Sequence, residues 1–222
     1  MPELAEAWYA VRDDRRYRRL LISAFVFGSG VWLMQPATPM LLADVVHAST
    51  GQVGVLAAAA ALASICGNLV WSRLVDGQRS LKALRAVYTV GTCVPIIFAV
   101  CAVHPSLVIG ASVAESLMAT GLDLVWMLAV IEFAGPGRTA QYAAIASTLA
   151  GVRGVLGPLL GAALIETAGL QTLYVVATVL MATGAVLVWR QARQHQDTPR
   201  YIEQPRQTSG GLSVMRAARN AS

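Results

Sequence analysis

Long stretches of the chain carry no charge, and their lengths set the fold class. Leu20 to Ala43 is 24 residues without Asp, Glu, Lys or Arg; Val45 to Ser72 is 28, Ala86 to Ala114 is 29 and Thr167 to Trp189 is 23. About 20 apolar residues cross ~30 Å of hydrocarbon, so each run can hold a membrane-spanning helix. The third run is long enough to end one helix at Val103, turn at His104-Pro105 and begin another. Between Ser106 and Thr167 charges are sparse, and Gly135-Pro136-Gly137 and Ala168-Gly169 read as turns. The pattern predicts an all-α, polytopic membrane protein with six transmembrane helices, at about 20–42, 53–71, 86–103, 106–133, 142–166 and 171–189.

Composition removes the soluble alternative. The 222 residues are 56% hydrophobic and 13% charged, with a mean hydropathy of +0.57, whereas soluble domains run near 45–50% apolar and about 25% charged. A large core does not account for this, because a folded chain of ~220 residues still leaves about a quarter of its surface in solvent. Disorder is excluded over most of the length by the same numbers.

The basic residues test the helix count independently. Arg12, Arg15, Arg16, Arg18 and Arg19 precede the first span; Arg73, Arg79, Lys82 and Arg85 lie between the second and third; Arg138 lies between the fourth and fifth; and six arginines follow the sixth. With alternating sides, 16 of the 17 Lys and Arg fall on one side, which the positive-inside rule makes cytoplasmic. Both termini are expected there, in an integral protein of a bacterial plasma (inner) membrane. The net charge of +5 then reflects topology, not nucleic-acid binding. Residues 1–19 read as a cytoplasmic amphipathic segment, with Leu4, Trp8 and Val11 at helical spacing near the headgroups. Residues 20–189 form the transmembrane domain, and 190–222, with Pro199, Pro205, Gly210 and Gly211, a flexible cytoplasmic tail.

Enzymatic and metal chemistry find little support. Cys66, Cys93 and Cys101 sit inside apolar spans without paired spacing, and His47, His104 and His195 lie in loops or tail, so neither a disulfide framework nor a metal site is indicated. There is no phosphate-cradling loop with its Lys and no Gly-x-Ser-x-Gly elbow; no cofactor is implied.

The ionizable groups placed inside the membrane are the informative part. A charge at the bilayer centre costs roughly 2.5–3.5 kcal/mol on insertion scales, so each is a functional candidate that needs a partner. At ~1.5 Å per residue, Asp123 lies about 14 Å deep on the fourth helix and Arg153 about 16 Å deep on the fifth, which allows an ion pair between them. Ser112, Glu115, Ser116, Ala119, Thr120, Asp123 and Trp126 fall in one sector of the fourth helix, and Val113, Leu117, Leu122, Leu124, Val125 and Leu128 oppose them on a face that suits lipid. Two readings stand. The pair only locks two helices together, with Glu115 reaching water near the outer leaflet; or the stripe is the wall of a polar pathway in which Glu115 or Asp123 binds a proton or a polar solute group. On the fifth helix, Gly154, Gly157 and Gly161 permit close helix contact and Pro158 bends the backbone, which signals packing. Gly28-Ser29-Gly30, Pro36 and Pro39 make the first helix a kinked element suited to gating.

Two segments carry a family resemblance. The loop Ser72-Arg73-Leu74-Val75-Asp76-Gly77-Gln78-Arg79-Ser80-Leu81-Lys82 resembles the Gly-x-x-x-Asp-Arg-x-Gly-Arg-Arg loop of major facilitator superfamily transporters, with Asp76 and the later basic residues matching and Ser72 in place of the leading Gly. Gly157-Pro158-Leu159-Leu160-Gly161-Ala162 is similar to that family's Gly-Pro-x-x-Gly-Gly segment. In this order among six spans, over about residues 12–189, they resemble one six-helix half of such a transporter. The degraded loop and the arginine-rich approach look more like a C-terminal half, while the Gly-Pro segment is better known from N-terminal halves of antiporters.

The resemblance implies two three-helix inverted repeats, a site near the midplane, and a secondary carrier that moves a small-molecule solute by alternating access, with proton-coupled efflux as one form of it. It implies that Asp76, with neighbouring basic residues such as Arg79, latches one face closed. It also implies a second six-helix half, or a second copy of the chain, as partner within the lipid bilayer. The competing class is a non-transporting membrane scaffold or degenerate half whose polar residues serve packing.

Overall fold

The computed structural model describes residues 14–76, 80–134 and 138–196. The expected amphipathic segment with Leu4, Trp8 and Val11, the Asp76 side chain, Arg79 and residues 197–222 of the expected tail lie outside the described residues, while residues 190–196, expected in the flexible tail, continue the last helix.

Among the described residues the secondary structure is helical throughout: α1 (Arg15–Leu33), α2 (Thr50–Asp76), α3 (Ser80–Cys101), α4 (Val108–Ala134) and a 58-residue run, Thr139–Gln196. Five of these stretches are long and apolar enough to cross a membrane, and the chain is an integral membrane protein.

Local chemistry explains the boundaries. Helix α1 starts before its apolar run because Asp14 caps it, its carboxylate accepting from the backbone N–H of Arg16 (2.9 Å) and Tyr17 (3.1 Å). Arg15, Arg16, Arg18 and Arg19 are exposed on this first turn while Tyr17 between them is buried, so the charges can point outward from a helix already under way. The other end of α1 breaks where the sequence carries prolines. After Leu33 a single turn forms at Ala37–Met40, followed by a π-helical turn at Leu41–Val45. Helix α2 opens with a reciprocal box: the Ser49 N–H donates to Gln52 Oε1 (2.8 Å) and the Gln52 N–H to Ser49 Oγ (3.3 Å). The expected turn at His104-Pro105 is a 3-10 turn, Pro105–Leu107.

The long run Thr139–Gln196 is not one rod. Gly169 has φ 82° and ψ 165°, outside the helical region and open to glycine, which lacks a Cβ. The arms on either side, α5 (139–168) and α6 (170–196), bring their far ends to the same turn of α1. Tyr17 Oη donates to the Tyr142 carbonyl (2.8 Å), and Gln191 Nε2 donates to the Arg16 carbonyl (2.9 Å). A straight helix would hold residues 142 and 191 roughly 74 Å apart, yet both meet neighbouring residues of α1.

Helix α1 lies against both arms. Phe27 occupies the space beside Gly184 of α6, where a Cβ would come within 2.6 Å of Phe27 Cβ, and a Cβ on Gly161 of α5 would meet the Leu33 carbonyl oxygen. Phe27 also stacks on Tyr88 of α3 (3.9 Å between centroids), and Phe98 of α3 on Tyr174 of α6 (6.0 Å). On the far side, α4 packs against α3 and α2, with Trp71 of α2 donating its indole N–H to the Leu117 carbonyl (2.9 Å) beside Gly121. Helix α2 packs chiefly on α4 and is otherwise largely exposed.

Two glycines of α5 therefore predict opposite outcomes for one substitution. Gly151→Ala meets nothing within 4 Å and should leave thermal unfolding unchanged or slightly raised. Gly161→Ala drives a methyl into the α1 backbone and should cost about 1–3 kcal/mol, read as a lower melting temperature in detergent.

Candidate substrate pathway

The residues expected to form a polar stripe on α4 differ in burial. Ser112, Glu115, Ser116, Thr120 and Trp126 are half-buried, and Ala119 and Asp123 are exposed. Thr120 Oγ1 donates to the Ser116 carbonyl (2.8 Å), so part of the stripe's polarity is satisfied within the helix. Asp123 shares its exposed side with Met127, which is 64% exposed, and with Ile131.

The opposite face does not meet lipid as expected. Leu117 packs at Gly67 of α2, where a Cβ would lie 3.2 Å from Leu117 Cδ2, and Val125 is 0% exposed in the core. The apolar residues of α4 serve α2 and α3, because a helix in the middle of a bundle needs its best-packing face for its neighbours.

Arg153 does not pair with Asp123. The two lie at similar depth, but α4 and α5 barely touch, and the Arg153 guanidinium turns to α1 instead. One terminal nitrogen donates to the Ala24 carbonyl and, at 3.4 Å, to that of Phe25; the group lies 5.6 Å from the Phe25 ring centroid. Gly28 makes the room, since a Cβ there would come within 2.6 Å of the guanidinium carbon. Ser29 Oγ also donates to the Phe25 carbonyl (2.7 Å), so that carbonyl serves two donors. Arg153 Nε is buried with no hydrogen-bond partner, and no carboxylate neutralizes the cation among the described residues. Backbone dipoles and an aromatic ring hold it in an apolar setting.

The glycines of α5 form the seat for α1. Trp32 lies over Gly154, at 3.7 Å from a Cβ built there, and against Gly157, at 2.6 Å; Gly161 meets Leu33 one turn on, and Pro158 lies within the same stretch. The close contact thus lies one to two turns from the arginine site.

Sequence reasoning passed over one polar junction. Glu132, near the end of α4, accepts from the Ser80 backbone N–H (3.2 Å) and from Ser80 Oγ, tying α4 to the first residue of α3. Glu132 stood out only as a sparse charge, and its partner is 52 residues away. At the same end, Tyr142 Oη donates to Asp14 (3.1 Å), joining α5 to the α1 cap.

Among the described residues no group of three or more His, Cys, Asp or Glu is placed to hold a metal ion. What the arrangement offers is two acids in one sector of α4 and a membrane-embedded cation on α5 held by α1 carbonyls. The family model described as the Major Facilitator Superfamily matches residues 20–220. No curated protein and no solved structure matches the chain.

Two substitutions probe this geometry by unfolding in detergent. Gly28→Ala crowds the guanidinium and should cost about 1–3 kcal/mol, and most of that loss should disappear when Arg153 is also changed to Met, a coupling that a double-mutant cycle reads directly. Glu132→Ala strands the Ser80 donors and should cost about 1–3 kcal/mol, with Glu132→Gln, which keeps an acceptor oxygen, costing less.

Proposed function

Because the chain belongs to the major facilitator superfamily, we propose that it is one six-helix half of a secondary carrier, moving a small solute by alternating access and coupling it to protons through Glu115 and Asp123. The family consists of membrane transporters, not enzymes, which act in a bilayer on small solutes. The observation that carries the reading is Asp123: a carboxylate near mid-span, exposed, and without a cationic partner among the described residues. Hydrocarbon does not tolerate such a group on a lipid-facing surface, so it faces water or another protein surface. A carrier cavity completed by a second six-helix half, or by a second copy of the chain, supplies both.

The same reading takes α5 and α6 as separate spans with Gly169 as their turn, and both termini as cytoplasmic, in line with the placement of the basic residues. It also takes the fold as two inverted three-helix repeats. The packing supports this: exchanging α1 with α4, α2 with α5 and α3 with α6 converts the α2–α4 contact into α5–α1 and the α3–α4 contact into α6–α1, and leaves α3–α6 unchanged. In this scheme Ser112, Ser116 and Trp126 line the solute path beside the two acids, Arg153 receives an anionic portion of the solute, and Asp76 with Arg79 acts as the cytoplasmic latch.

The test is solute flux into proteoliposomes under an imposed pH gradient, screened over a panel of small organic anions and zwitterions. Glu115→Gln and Asp123→Asn should each reduce flux tenfold or more while the protein reaches the membrane in wild-type amounts. Wild-type flux in both variants removes the coupling role. A strictly monomeric chain that transports nothing, alone or with any partner half, removes the carrier reading.

A further inference from the structure

A cavity lies away from the α4 stripe, between α3 and α6. It has a volume of about 520 Å³ and is lined by Thr89, Thr92 and Cys93 on α3 and by Ala182, Ala185 and Val186 on α6, with Trp189, Arg190 and Arg193 at one end. Its apolar wall begins where the cations end. Trp189 donates its indole N–H to Thr89 Oγ1 (3.2 Å) and so bridges the two helices, and the Arg85 guanidinium lies 3.9 Å over the Trp189 ring. Arg190 and Arg193 are exposed and form no ion pair or hydrogen bond with another described residue.

We infer that this cleft binds one anionic phospholipid, its phosphate on Arg190 and Arg193 and an acyl chain along Ala185 and Ala182. The dimensions fit one leaflet: from Arg193 to Ala182 the cleft runs about 16 Å along α6 at ~1.5 Å per residue, about half of the ~30 Å hydrocarbon thickness. The order of chemistry fits as well. Arg85 of α3 with Trp189, Arg190 and Arg193 of α6 stand at the C-terminal end of α6, where headgroups lie, and small apolar side chains continue inward. Guanidinium groups bind phosphate through paired N–H donors, and basic pockets between transmembrane helices select anionic headgroups. A soluble anion would use the arginines and leave the apolar cleft empty; a neutral lipid would fill the cleft and leave the arginines without a counter-charge. An anionic phospholipid uses both.

The full chain, purified in neutral detergent, is titrated with phosphatidylglycerol and separately with phosphatidylcholine of the same acyl chains, and bound lipid is counted by native mass spectrometry. One phosphatidylglycerol should be retained with a preference on the order of tenfold over phosphatidylcholine, as expected for two arginines near a headgroup. Arg190→Gln with Arg193→Gln should bring the two lipids level, while Arg190→Lys with Arg193→Lys should keep most of the preference. Ala182→Phe, which fills the cleft with every charge in place, should reduce phosphatidylglycerol binding by a similar factor. Glycerol phosphate at the same concentration should not displace the lipid. Equal retention of the two lipids by the unaltered chain overturns the proposal, as does unchanged binding in the Ala182→Phe variant. Displacement by glycerol phosphate overturns it too, since that makes the site one for soluble anions. If the glutamine variant does not elute as a folded protein, the Ala182→Phe and glycerol phosphate arms decide.

Discussion

Backbone-to-backbone approach at glycine holds this bundle together. In hydrocarbon, burying a Leu against another helix gains little over leaving it in lipid, so association depends on how closely two helices can pack and on the polar groups they satisfy between them. Helix α1 meets that condition twice, against α5 through Gly157 and Gly161 and against α6 through Gly184. The interior around α1 relies on this seating. Phe27 reaches Tyr88 because Gly184 and Gly91 leave it room, and Arg153 reaches the α1 carbonyls because Gly28 does. The polar junctions at the helix ends, Asp14 with Tyr142 and Arg16 with Gln191, fix the register of contacts that glycine makes close.

Much of the fold could be read from the chain because its solvent imposes a simple rule. Length without charge locates spans, and the turns at His104-Pro105 and Gly169 carry their own punctuation. The helices extend past the apolar runs, by five residues at the start of α1, because a charge-free window measures the hydrocarbon and not the helix; Asp14 and Ser49 with Gln52 set the true starts. The stripe on α4 was visible as angular position along one helix. Its counterpart was not, because angular position says nothing of which neighbour a face meets. Equal depth brought Asp123 and Arg153 together on paper, whereas short loops join α4 to α5 without making them packing partners. Glu132 with Ser80 escaped for the same reason: a contact across 52 residues leaves no local periodicity.

The two charged regions also differ in how their charges are held. Arg153 is bound to carbonyls and surrounded, so its cost in an apolar medium is met by fixed dipoles. Asp123 is exposed and depends on what surrounds the bundle. A cation settled within one group of helices and an acid open on another is an arrangement that keeps opposite charges from collapsing into an internal pair, and leaves both free to meet something that enters between them.

The pairing order has a consequence in time. Within residues 15–196, helix α1 is made before α2, α3 and α4, and its partners α5 and α6 after them. At ~5–20 residues per second, the ~150 residues between Leu33 and Gly184 take roughly 8–30 s to appear. For most of that interval α1 stands in the bilayer without the glycines of α5 and α6 that seat it, although Tyr88 of α3 is already available to Phe27, and α2, α3 and α4 can associate. Helix α1 must therefore persist in lipid without α5 and α6, which find it late, so the contacts at Gly157, Gly161 and Gly184 form after α2, α3 and α4 have been made.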